Sequence, residues 1–265
     1  MILLVVYNDD ILEGGKGSTG VVVSVAKDDV WLENIIPPLL SYKLVVSIIS
    51  MIYIEIEIMA LSFSLVNKTT MIAGRRGAGK TVLAKQLIED EKQKFSKIFL
   101  FSPTEAINRD YADLVPQNCI FDDWNEKWGN SLLEKLAKTP KEELKPILIV
   151  FDDMGSERSM ENSRIFTRFF TRGRHTMVSI LSLNQYIFQL SKICRSNLDF
   201  VIVGSQNAQS VDILETEFNA NLEPKAFRQL YHKAIENFGF MIIKNSSVKD
   251  STDQNQMYGV LRATI

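Results

Sequence analysis

Residues Gly74-Arg75-Arg76-Gly77-Ala78-Gly79-Lys80-Thr81 match the phosphate-binding pattern G-x-x-x-x-G-K-[ST]. Glycines let the backbone curl until several N–H groups point at one phosphate chain. In such a loop Lys80 reaches the β- and γ-phosphates and the Thr81 hydroxyl ligates Mg2+. A helix starting near Lys80 adds the positive end of its dipole. The flanks fit: Thr70-Met71-Ile72-Ala73 reads as a short buried strand, and Val82-Leu83-Ala84-Lys85-Gln86-Leu87-Ile88 as a helix. A phosphate loop in this setting constrains the chain to a strand–loop–helix unit inside an α/β fold.

The rest of the chain after Thr70 alternates strands and helices. Strands are expected over residues 97–102, 146–151, 176–183 and 200–204, with a short extended piece at 118–121. Helices are expected over 105–114, 130–137, 161–171, 211–218 and 225–236. Residues 238–244 and 258–264 read as a closing antiparallel pair around a polar loop, 245–257. Near-continuous apolar strands separated by helices imply a mainly parallel sheet covered on both faces.

A nucleotide hydrolase needs an acidic element as well. The apolar run Ile147-Leu148-Ile149-Val150-Phe151 delivers Asp152 and Asp153 at a strand's carboxyl end, where ligands bind in open α/β sheets. Asp152 suits the Mg2+ shell, and Asp153 suits polarisation of the attacking water. Gln185 ends the next strand, where a neutral amide can touch both γ-phosphate and water and so sense hydrolysis. Arg164, Arg168 and Arg172 recur every four residues and share a helix face. Arg174 follows just after Gly173. Arg172 and Arg174 are candidates for a guanidinium inserted into a neighbouring subunit's site, and Arg75 and Arg76 compete for that work within their own loop.

Composition narrows the partners. A net charge of −2 gives no global pull toward nucleic acid, so DNA contact needs a local patch. Cys119 and Cys194 lack metal spacing, and His175 and His232 are the only histidines, which disfavours a His-rich metal site. Residues 1–60 stand apart. The run over 35–66 is apolar but is broken by Pro37, Pro38, Lys43, Glu55 and Glu57. Its clean stretch, 44–54, is shorter than the ~20 residues a membrane helix needs. Ile54-Glu55-Ile56-Glu57-Ile58 alternates like a strand. A membrane span is therefore not favoured, although membrane association of residues 35–60 stays open. Gly14-Gly15-Lys16-Gly17-Ser18-Thr19 imitates a second phosphate loop, but Gly17 follows the lysine where the pattern requires Ser or Thr. The expected organisation is an extension of uncertain order over 1–60 and an ATPase domain over 61–265.

The order of these motifs resembles a known family. The phosphate loop is followed by Lys97-Ile98-Phe99-Leu100-Phe101-Ser102-Pro103, the Asp152-Asp153 strand, then Gly173-Arg174-His175 and Ser179-Ile180-Leu181-Ser182-Leu183-Asn184-Gln185. This looks like the DNA-packaging ATPases of poxviruses and other large nucleocytoplasmic DNA viruses, members of the FtsK/HerA class of P-loop motors. The likeness covers about residues 62–245 and includes the helix start Ser210-Val211-Asp212. It implies a RecA-like P-loop fold and an ATP- and Mg2+-dependent motor that moves double-stranded viral DNA into a capsid. It further implies a homo-oligomeric ring, capsid or portal-like viral partners, and work at the assembly site in the host cytoplasm or in the virion. Residue by residue, it implies Lys80 and Thr81 at phosphate and Mg2+, Asp152 at Mg2+, Asp153 as catalytic acid and Gln185 as sensor. Many members of the class carry Glu where this chain has Asp153. The rival readings are another P-loop enzyme (a helicase, a transposition ATPase or a nucleotide kinase) and a nucleotide-binding switch without turnover.

Overall fold

A computed structural model describes residues 2–7, 21–27, 30–36, 63–154, 160, 163–219, 222–245 and 258–262. The chain divides into two compact units, Met1–Ile56 and Glu57–Ile265. The first holds three antiparallel strands in the order β1 (Ile2–Tyr7), β2 (Val21–Lys27), β3 (Val30–Ile36). The register runs Ile2↔Ala26 to Tyr7↔Val21 and Val21↔Ile36 to Lys27↔Val30. Sequence reasoning assigned no element there, because the segments do not alternate. Their signal is the density of Val and Ile, which favours a pleated surface. The expected strand at 54–58 and the imitation loop at 14–19 lie outside the described residues.

The second unit is built on an eight-stranded sheet. Its strands are β4 (Thr69–Ala73), β5 (Lys97–Phe101), β6 (Ile120–Phe121), β7 (Ile147–Asp152), β8 (Val178–Asn184), β9 (Phe200–Val203), β10 (Gly239–Lys244) and β11 (Tyr258–Arg262). They lie in the order β11-β10-β9-β4-β8-β7-β5-β6. Every pairing from β9 to β6 is parallel. Strand β10 runs antiparallel to β9 and to β11, which gives the expected antiparallel closing pair. The loop expected over 245–257 is described only at Asn245.

The pleat sorts the apolar runs onto two faces. Ile98, Leu100, Leu148, Val150, Leu181, Leu183, Ile202 and Ile242 join one core with Leu83, Leu87 and Ile88 of helix α1 (Lys80–Glu91). Residues of opposite parity serve the other face. There Phe101 stacks on Phe151 with ring centroids 5.3 Å apart, and Trp124 meets Phe166 edge-on at 5.9 Å. All of β4, β7 and β8 is buried, as strands covered on both sides must be.

Helix α2 (Glu105–Asn108) is one turn where residues 105–114 were expected to be helical. It stops at Arg109, whose φ of 54° is left-handed. The Glu105 carboxylate accepts the Tyr111 N–H at 2.9 Å, offering the backbone a partner other than a continuing helix. Helix α3 (Glu126–Lys138) is capped by Asn125, and α4 (Arg164–Arg172) by Ser163, whose hydroxyl accepts the Phe166 N–H at 3.0 Å. Helix α4 buries Phe166, Phe169 and Phe170 and leaves Arg164, Arg168 and Arg172 exposed. Each buried ring is worth about 1.5–3 kcal/mol of transfer free energy. Helices α5 (Lys192–Arg195), α6 (Ala208–Phe218) and α7 (Pro224–Ala234) complete the unit, α7 starting with proline at its first position.

Candidate active site

Strand β4 runs into the phosphate loop between two other strand ends. Gly74 N–H donates to Asn184 O at 3.1 Å, at the end of β8. Arg75 N–H donates to Ser205 O at 3.0 Å, just past β9. Ala78 N–H closes the turn on Arg75 O at 3.1 Å. Gly77 and Gly79 take φ of 77° and 88°, a region that side chains with a Cβ enter at a cost. No side chain caps α1, so no side chain competes with a ligand for its first-turn N–H groups.

Lys80 Nζ donates to Gly74 O at 2.8 Å and to Arg75 O at 3.3 Å, which holds the ammonium across the loop. Burial lowers its pKa, against the opposing charges of Asp152 and Asp153. Thr81 Oγ1 lies 3.4 Å from Asp152 Oδ2. Burial pushes the Asp152 carboxyl above the usual carboxylate range; a hydrogen bond from Tyr111 pulls it down, the charge of Asp153 raises it, and Lys80 and Thr81 lower it. Asp153 is exposed and adopts φ 56°, so the chain bends between the two acids and gives them different surroundings. Gln185 Nε2 comes within 3.5 Å of Asp153 Oδ1.

Thus Lys80, Thr81, Asp152, Asp153 and Gln185 meet at the carboxyl edge of the sheet. Strand β8 is the reason: it lies between β4 and β7, so its end carries Gln185 into the gap between the loop and the acids. Arg75 and Arg76 are exposed in the loop itself. Arg172 and Arg174 are not part of this cluster. They precede β8, at the amino edge of the sheet, while Gln185 follows it. Seven residues of strand separate the two edges by about 23 Å.

Sequence reasoning missed the residues that hold this arrangement. Gln189 Oε1 accepts the N–H groups of Gln185 and Tyr186 at 2.7 and 3.0 Å. Gln206 Nε2 donates to Gln185 O at 3.1 Å. The Gln206 N–H donates to the Tyr231 hydroxyl at 2.9 Å, which in turn donates to Gly204 O at 3.0 Å. Tyr111 OH donates to Asp152 Oδ2 at 2.8 Å. Gln189 acts locally, three and four positions from its partners, where a capping spacing could have been read; Gln206, Tyr231 and Tyr111 act across 21 to 41 positions and carry no sequence signature.

The residues fit a magnesium–nucleoside triphosphate. The loop offers backbone N–H groups without a side-chain cap and one ammonium to phosphates, and Thr81 with Asp152 forms a hard-oxygen pair. Among the described residues no group of three or more His, Cys, Asp and Glu forms a metal cage. Mg2+ suits such a site, because it is usually held by one or two carboxylates with substrate phosphates and waters. Among the described residues no helix is long and apolar enough to cross a membrane.

Comparison with known proteins agrees with this geometry. The family described as Poxvirus A32 protein matches residues 60–254. The DNA packaging protein OPG160 of Vaccinia virus (strain Copenhagen) is 29% identical over 137 residues, covering 48% of this chain and 49% of that protein. Uncharacterized protein 015R of Frog virus 3 (isolate Goorha) is 24% identical over 185 residues, covering 68% of this chain and 58% of that one. The chain therefore spans about half the length of the curated relatives it matches. Among solved structures, the genome packaging NTPase B204 from Sulfolobus turreted icosahedral virus 2 in complex with ATP-gammaS has a TM-score of 0.53 at 14% identity, covering 75% of this chain and 98% of that one. The pCW3 conjugation coupling protein TcpA with ATPgS has a TM-score of 0.52 at 13% identity, covering 74% of this chain and 60% of that one. At these identities what is shared is the fold.

Proposed function

The chain belongs to the Poxvirus A32 protein family, and from that premise we propose that it is an ATP-hydrolysing motor that translocates double-stranded viral DNA into the capsid. The observation that carries the reading is the convergence of Thr81, Asp152, Asp153 and Gln185, from one helix start and two strand ends, beside the phosphate loop. Lys80 would hold the β- and γ-phosphates, and Thr81 and Asp152 the Mg2+ ion, which when bound offsets charge on the transferred phosphoryl group. Asp153 would take a proton from the attacking water, and Gln185 would orient that water and register the γ-phosphate.

The motor reading follows the relatives named as DNA packaging proteins and the fold shared with a packaging NTPase. A ring of identical subunits is part of the proposal. Arg172 and Arg174 lie too far from their own phosphate loop to serve it, and a neighbouring molecule's site is the one they could reach. Duplex DNA would be gripped mainly through its phosphates, giving a strongly salt-dependent affinity. Capsid or portal-like viral proteins would complete the assembly, at the assembly site in the host cytoplasm or in the virion. A nucleotide-binding switch without turnover is the weaker reading, because it has no use for an exposed carboxylate beside a glutamine amide.

ATP turnover measured with and without duplex DNA, over a range of salt, tests the proposal. Stimulation by duplex that fades with salt is expected. Turnover indifferent to DNA would remove the motor reading and leave another P-loop enzyme. Strand separation without movement along duplex would point to a helicase.

A further inference from the structure

Tyr111 is 1% exposed, and its hydroxyl donates at 2.8 Å to Asp152 Oδ2, the same oxygen that Thr81 Oγ1 approaches at 3.4 Å. The segment after β5 is folded to put it there. Helix α2 lasts one turn and ends at Arg109, whose N–H bonds back to Glu105 O at 2.9 Å. Glu105 is 4% exposed, and its carboxylate accepts the Tyr111 N–H at 2.9 Å. Tyr111 O then receives the N–H groups of Leu114 and Val115, both at 2.9 Å. Burying a carboxylate is costly unless it is bonded, so Glu105 holds the Tyr111 backbone in one place, and the phenol in turn holds Asp152.

We propose that Tyr111 is a positioning residue for the magnesium site: it fixes the plane of the Asp152 carboxylate toward the cation, and Glu105 sets Tyr111 in position. This rests on the nucleotide-hydrolase reading above. Partners of ligating carboxylates are worth 10–100-fold in metal affinity or activity. A phenol that merely satisfied its own buried hydroxyl would affect stability and leave the cation untouched.

The test uses the full chain and Tyr111→Phe, which keeps the ring and removes only the hydroxyl. Mn2+ binding to the complex with ATPγS, followed by electron paramagnetic resonance, should weaken about 10-fold or more. The Mg2+ concentration for half-maximal ATP turnover should rise by the same factor. ATPγS affinity in EDTA should stay unchanged. Glu105→Ala, which removes the acceptor of the Tyr111 N–H, should weaken Mn2+ binding in the same direction as Tyr111→Phe, and unchanged binding there overturns the part given to Glu105. Unchanged Mn2+ binding in Tyr111→Phe overturns the inference. So does a parallel loss of EDTA-resistant ATPγS binding, which would show a general collapse of the site. If the wild-type chain itself binds no ATPγS with or without metal, the nucleotide reading fails and this inference with it; normal wild-type binding beside an indistinguishable Tyr111→Phe overturns this inference alone.

Discussion

Gln185 Nε2 stands 3.5 Å from Asp153 Oδ1, although the two residues belong to different strand ends. The contact is long for a hydrogen bond, and the two side chains sit on unequal supports. The Gln185 backbone is tied on both sides, by Gln189 and by Gln206. Asp153 is itself the left-handed bend that follows a buried strand. The amide and the carboxylate therefore lie side by side at the carboxyl edge of the sheet, and the proposed roles of base and water-orienting amide need that adjacency.

That division between adjacent acids is testable. Asp153→Asn should keep nucleotide and Mg2+ affinity and lower turnover by about 10²–10⁴-fold, the usual worth of a positioned general base. Asn tolerates a left-handed φ, so the bend at 153 survives the change. Asp152→Asn should instead lose Mg2+-dependent nucleotide binding. Calorimetric binding and steady-state turnover on both variants would decide it; equal loss of binding in the two would contradict separate roles.

Lys80→Ala should abolish measurable ATP turnover and weaken nucleotide binding. The ammonium bridges Gly74 O and Arg75 O across the loop, and it is the one cation of the loop that the pattern assigns to the phosphates. Wild-type turnover in this variant would sink the P-loop reading.

Part of this site was readable along the chain because its pieces are short local runs. Gly74 to Thr81 carries its own backbone signal, and β4, β7 and β8 are rich in apolar residues because both faces are covered. What local pattern cannot supply is lateral order. Nothing near Val178 says that β8 inserts between β4 and β7, yet that insertion brings Gln185 to Asp153. Four-residue spacing placed Arg164, Arg168 and Arg172 on one face, but only the crossover into β8 puts Arg172 at the edge away from the phosphates. Tyr111 was hidden by helix-compatible composition over 105–114, where a buried carboxylate outcompetes the continuing helix.

The position of those arginines leads to a mixing experiment. Arg172→Ala or Arg174→Ala should lower turnover while leaving nucleotide affinity intact. Mixing such a variant with Lys80→Ala should then restore part of the activity, because some interfaces combine an intact loop with an intact arginine. Absence of recovery at every mixing ratio, with assembly confirmed by light scattering, would return the role to Arg75 or Arg76.

A second pair sets a pH dependence of stability. Arg195 donates through Nε and Nη2 to the two Glu217 oxygens, both at 2.7 Å, and through Nη1 to Leu190 O at 2.6 Å. The hydrogen-bonded guanidinium holds the Glu217 carboxyl below its ordinary value, outweighing the opposite effect of burial. A carboxyl depressed in the folded chain contributes stability above its unfolded pKa of about 4.3, and that contribution is lost as pH falls through the folded value. Glu217→Gln should cost about 1–3 kcal/mol near neutral pH. The gap to wild type should narrow once the pH drops below about 4. Urea unfolding at neutral and acidic pH measures both numbers, and a gap that ignores pH would mean the pair does not act through its charge.

The remaining prediction concerns the first unit. The family match begins at residue 60, and the contacts of the chain divide it after Ile56. Strands β1, β2 and β3 pair only with one another among the described residues. A chain beginning at Met59 keeps Leu65, whose N–H bonds the Glu91 carboxylate at 2.7 Å, and keeps all of β4. It should therefore fold cooperatively and turn over ATP at the rate of the full chain. Thermal unfolding and turnover on the two proteins side by side are the measurements. An insoluble or inactive short chain beside an active long one would show that residues 1–58 are integral to the ATPase core.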